Sequence, residues 1–220
     1  MPATHQPLNS TLRNRLIYIV LTVSAILMGL VIFLHLWKGV PINRLTQDPT
    51  IIGGLAAYAG FLSQTGIFFW SATATLCFFS VTLLSDCMEQ RELRLFLLVS
   101  GLLTLLLGLD DAFLLHESVL PYFGIPQNFV LGSYVVFVML YLLRFHQIIF
   151  QTDYILLAIA LSFFGISVIL DVLNPPVINP LFFEDGSKLV GIVSWLAYFL
   201  SVGLSSNLGT SRNSAPKTLG

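Results

Sequence analysis

The chain has 220 residues, of which 56% are hydrophobic and 10% charged, and its formal net charge is −1. A mean hydropathy of +0.87 lies far outside the range of soluble globular domains. Near-neutral charge without basic runs leaves no electrostatic footprint for nucleic acid, and two cysteines ten apart, Cys77 and Cys87, give neither a disulfide framework nor a zinc knuckle.

The composition predicts an all-α, polytopic transmembrane helical bundle in the lipid bilayer. A hydrocarbon core of about 30 Å needs about 20 apolar residues per helix, and six runs approach that length. They are Leu16 to Leu36, Ile67 to Leu84, Leu95 to Phe113 or beyond, Phe129 to Ile149, Tyr154 to Leu173, and Leu189 to Leu204. The runs are continuously apolar and do not alternate, which excludes a membrane β-barrel. Arg13 and Arg15 precede the first run as they would a signal peptide, but no small-residue cleavage pattern follows, so a retained span is expected. Between the first two spans, Ile51 to Gly66 is apolar but broken by glycine; it reads as an interfacial or re-entrant segment, with a seventh span as the alternative. Within it Gly54, Ala57 and Gly60 recur at about three-residue intervals, a spacing that permits close helix contact. Residues 1–12 and 207–220 read as polar tails around a bundle at 13–206.

Orientation follows from the cations. With both termini inside, the inner face collects Arg13, Arg15, Arg91, Arg94, Arg144, Arg212 and Lys217, against Lys38, Arg44 and Lys188 outside, so the expected topology is N-in and C-in. The mixed-charge stretch Ser85 to Glu92 reads as a solvated connector on the inner side.

The third span ends in LDDAFLLHE, residues 109–117. At a rise of 1.5 Å per residue Asp110 lies about 22 to 24 Å along that span, and Asp171 about 26 Å along the fifth. The two share a depth in the outer third of the membrane. Glu184 and Asp185 open the sixth span on the same side, after PPVINP, and His35 closes the first. If the third span continues as a regular helix, Asp110 and Glu117 fall on one stripe and His116 points elsewhere.

Charges at this depth cost roughly 2.5 to 3.5 kcal/mol each on insertion scales. Adjacent Asp110 and Asp111 therefore need a proton, a cation or a partner. Spans three and five contain no basic residue after Arg94, and Lys188, one turn from Glu184, is the one cation placed to help. A divalent metal ion is the other candidate, with Asp110, Asp111, His116, Glu117, Asp171, Glu184 and Asp185 as its ligands. A bland alternative puts residues 110–117 in the headgroup zone as a solvated helix end.

The pattern resembles a group of uncharacterised bacterial multi-span proteins whose helix ends S-L-D-E-x-x-x-x-H-E and whose last span opens E-E-x-x-E-x-x-G. Gly108, Leu109, Asp110, Asp111, His116 and Glu117 stand at the first motif, with glycine in place of serine at 108 and aspartate in place of glutamate at 111. Asp171 stands for a later glutamate; Glu184, Asp185, Lys188 and Gly191 match the last motif with lysine replacing an acid. The resemblance, over residues 66 to 204, implies that these groups form one cluster; it carries no activity. Ceramidase-like membrane hydrolases differ in having a paired H-x-x-x-H helix, absent here. Three functions fit this reading: an outer-face cation site, a proton- or cation-coupled transporter, and an accessory subunit whose acids dock a membrane-protein partner.

Overall fold

The computed structural model describes residues 10–84, 90–173 and 180–213, and among these it contains helices and no strand. The SDCME part of the connector with Cys87, residues 174–179 and the outermost tail residues lie outside them. Among the described residues six helices are long and apolar enough to cross a membrane. The chain is a multi-pass membrane protein.

The chain divides into two compact units, residues 1–59 and 60–220. The first holds α1 (Ser10–Lys38), α2 (Ile42–Thr46) and α3 (Pro49–Ile52). Apolar side chains along α1, among them Tyr18, Met28 and Leu36, are exposed. Gly39, at φ 66°, ends the helix, and the His35 ring binds the Val40 carbonyl at 2.8 Å across this turn. Asp48 caps α3 by accepting the Thr50 N–H at 2.8 Å. The glycine-broken segment forms no seventh span. Gly54 and Gly60 have φ of 63° and 70°, so these glycines make turns and do not form a helix-packing stripe.

The second unit contains α4 (Phe61–Leu83), α5 (Arg91–Phe113), a short α6 (Leu120–Tyr122), α7 (Gln127–Phe150), α8 (Tyr154–Leu173) and α9 (Pro180–Asn213). Neighbours run antiparallel. Trp70 meets Gly108 while Phe78 meets Gly101 across α4 and α5, and Phe164 meets Gly191 while Asp153 meets Ser201 across α8 and α9. Helices α4 and α9 lie parallel, with Gly66 against Ile192 and Gly203 against Ser80. At Gly191 a Cβ would stand 2.6 Å from the Phe164 ring, so only glycine allows α9 this close to α8.

An aromatic core joins these helices: Phe96 stacks on Tyr141, Trp195 packs edge-on against Phe199, and Phe164 stacks on Trp70. Its polar groups are satisfied internally. Trp195 donates to Thr104 at 3.0 Å, and Ser100 meets the Tyr141 hydroxyl at 2.7 Å. No buried side-chain nitrogen or oxygen among the described residues lacks a hydrogen bond. α4 starts at Phe61, earlier than expected at Ile67, because Thr65 returns its hydroxyl to the Phe61 carbonyl and so lets polar residues occupy the helix. α9 starts at Pro180 instead of Leu189 and therefore carries Glu184, Asp185 and Lys188 on its first turns.

Candidate functional site

The last turn of α5 does not continue as a regular helix. Leu114 adopts φ 51° and ψ 46°, the left-handed region, and no other non-glycine residue among those described has positive φ. Such a conformation costs a branched residue about 1 to 2 kcal/mol. A π-helical turn, Leu115–Val119, follows, with the Val119 N–H reaching the Leu114 carbonyl at 3.1 Å. The helix breaks because Asp110 outcompetes the backbone: its Oδ1 accepts the His116 N–H at 2.9 Å, a donor that a continuous helix would spend on Ala112.

The break turns His116 back onto Asp110. Its Nδ1 lies 2.5 Å from Asp110 Oδ2, and the Tyr134 hydroxyl of α7 donates to Asp110 Oδ1 at 3.0 Å. Asp110 and His116 are 5% and 7% exposed, so both are buried groups and not a solvated helix end. The expected shared stripe of Asp110 and Glu117, with His116 facing away, is thus replaced by a direct Asp110–His116 pair. Burial pushes the His116 pKa down, but the hydrogen bond and charge of Asp110, aided by Glu117, outweigh it and leave the imidazole above its ordinary value. Glu117 reaches the other face of the ring, Oε1 to Nε2 at 3.5 Å.

Asp111 points to a different side. Lys188 from α9 forms an ion pair with its Oδ1, and the Trp70 indole N–H donates to its Oδ2 at 3.0 Å. Gly108 makes the Trp70 contact possible, since a Cβ there would fall 2.9 Å from the Trp70 Cβ. Asp171, at the end of α8, accepts from the Gln127 amide at 3.0 Å, and Gln127 opens α7 directly after Pro126.

These groups form the polar end of a single cavity of about 510 Å³ between α7 and α8, bordered by Trp70 and Leu107. Asp110, Asp111, His116, Glu117, Tyr134, Asp171, Glu184 and Lys188 line it. Its remaining wall is almost wholly apolar, including Leu131, Val138, Leu142, Leu161 and Val168. Val135, Met139 and Ile169 belong to the wall and are exposed, so the cavity opens sideways where lipid tails would lie. Asp185 is set apart, beside Asp111 and Lys188 at a small void against Leu62 and Gly66.

Six of the seven acids and histidine expected to cluster therefore line one cavity, and the seventh adjoins it. Among the described residues no three His, Cys, Asp or Glu side chains are gathered so that they could hold a metal ion. The lone pairs of Asp110, Asp111 and Asp171 are turned toward His116, Tyr134, Trp70, Lys188 and Gln127. Trp70, Tyr134 and Gln127 carried no signal in the sequence, because each belongs to a helix distant in the chain from the carboxylate it serves.

Chemically, an aspartate on Nδ1 fixes a histidine ring and stabilises its protonated form, while Nε2 keeps a proton to donate toward Glu117 or a guest. Lys188 supplies a fixed positive charge, and Tyr134 and Trp70 supply amphipathic rings at the border of polar and apolar walls.

No curated relative and no solved structure matches the chain. A family model does, across residues 16–202, which take in every site residue above. The chain belongs to the family described as the domain of unknown function DUF8692.

Proposed function

We propose that this protein binds an amphiphile drawn from the bilayer, its hydrocarbon tail along the α7–α8 wall and its head at the Asp110–His116 and Asp111–Lys188 pairs. One observation carries this reading: a single cavity combines an apolar wall open toward lipid with a polar end built from hydrogen-bonded ionisable groups. A volume of 510 Å³ falls within the roughly 300 to 1,000 Å³ of small-molecule sites. An apolar cavity at membrane depth favours a hydrocarbon chain, and the strained turn at Leu114 places His116 against the head. The excess of cations on the N-terminal side supports placing the site at the outer face, with both termini inside.

Trp70 reports on the cavity. A dodecyl maltoside carrying bromine on its chain should quench Trp70 saturably in protein held in lipid nanodiscs, and Trp70→Phe should remove the saturable part. Gly165 lines the cavity, and nothing lies within 4 Å of a Cβ built there, so a side chain has room to start, and Gly165→Phe should occupy the space and weaken the quenching about tenfold or more. Equal, non-saturable quenching of wild type and Gly165→Phe would refute the reading.

A further inference from the structure

Building on the amphiphile reading, we infer that the head of the bound molecule carries a positive charge: the cavity takes an amine- or quaternary-ammonium-bearing amphiphile in preference to an anionic lipid. Five carboxylates line the cavity, those of Asp110, Asp111, Glu117, Asp171 and Glu184, and two cationic side chains, Lys188 and His116, line it with them. The two cations are already committed, Lys188 to Asp111 and His116 to Asp110. Glu117 shares His116, its Oε1 3.5 Å from Nε2, and among the described residues Asp171 and Glu184 form no ion pair.

These three come from different segments, the π turn, the end of α8 and the start of α9, and meet at one mouth. Glu184 lies within electrostatic reach of the carboxylates of Asp171, Asp185 and Glu117 and of one cation, Lys188, which is already paired with Asp111, and among the described residues no hydrogen-bond donor serves it. Asp171 has only the neutral Gln127 amide. Like charges brought together beside an apolar wall repel more strongly than in water, and a guest cation removes that repulsion.

The protein's own Lys188 shows what this end accepts. It is a primary ammonium on an alkyl stem, its charge against a carboxylate and its side chain 30% exposed, which is the chemistry inferred for the guest. The Trp70 and Tyr134 rings, which line the same cavity, add the quadrupoles that favour an organic cation.

The test compares three probes sharing one brominated dodecyl chain, with trimethylammonium, maltoside or sulfate heads, by Trp70 quenching in phosphatidylcholine nanodiscs. The ammonium probe should bind about tenfold more tightly than the maltoside, and the sulfate more weakly than either. In Asp171→Asn/Glu184→Gln, an isosteric pair that removes charge alone, the ammonium-to-maltoside ratio should fall toward one. Arg144→Gln, at the far end of the unit, should leave the ratio as it is. Saturable binding of all three heads with equal strength, a preference for sulfate, or a ratio unmoved by the double variant would overturn the charge inference while leaving the amphiphile site standing. Absence of saturable quenching by every probe would overturn the amphiphile reading itself.

Discussion

The two ends of the second unit handle charge in opposite ways. At one end Arg144 of α7 meets Glu92 of α5 at 2.9 Å, with both side chains more than half exposed. At the other, Asp111 is 11% exposed against Lys188, and Asp110 and His116 are covered on nearly all sides. An ion pair in water gains little, because solvent already screens each partner; a buried carboxylate has lost its water and depends on the donors that replace it. Substitutions at the two ends should therefore differ several-fold in cost, and the difference tests whether the site end is built or merely wet.

The largest effect is expected for Lys188→Met. Methionine keeps the alkyl bulk but leaves Asp111 with the Trp70 indole alone, and stripping one partner from a buried pair costs about 3 to 5 kcal/mol. Thermal unfolding in nanodiscs should show a steep loss, with Lys188→Met/Asp111→Asn recovering much of it because the orphaned charge is gone. A single variant as stable as wild type would mean that Asp111 is solvated, and the contrast between the ends would fail.

His116→Gln should cost less, about 1 to 3 kcal/mol, since Tyr134 still donates to Asp110 and the backbone bond persists. Its signature is pH. Asp110 and Glu117 hold the folded histidine above its ordinary value of about 6.5, against the opposing pull of burial and of Lys188. The ionic stabilisation is then fully present below about 6.5 and is lost as pH rises through the raised folded value. The stability gap between wild type and His116→Gln should accordingly be widest in mild acid and narrow as the solution becomes alkaline. A gap that widens with rising pH would show that the histidine is neutral in the folded protein.

These contrasts also mark what the sequence could carry. Long apolar runs declare spans by length alone, and the acids with His116 and Lys188 stood out because ionisable groups are rare at that depth. The partners did not. Trp70 lies 41 residues from Asp111, Tyr134 24 from Asp110, and Gln127 44 from Asp171, and no linear spacing fixes which faces of distant helices meet. His116 was visible as a residue and misplaced as a direction, because its orientation depends on a left-handed leucine that composition does not signal. The cavity is equally hidden: its wall is written in Val, Leu and Met, the same letters that elsewhere face lipid or core.

The smallest effect belongs to the far end. Arg144→Gln removes the pair with Glu92 and the stacking of the guanidinium, 5.0 Å above the Phe145 ring, yet both partners keep access to water or headgroups. An exposed pair of this kind contributes about 0 to 1 kcal/mol, and raising the salt concentration should erase most of that in wild type. Lys188→Met should keep its deficit in the same salt, because the Asp111 carboxylate is shielded from ions by α4 and α9. Salt thus separates the two ends more cleanly than the size of either loss: if added salt closes the gap for Lys188→Met as it does for Arg144→Gln, Asp111 is reached by solvent and the polar end of the cavity is an open surface.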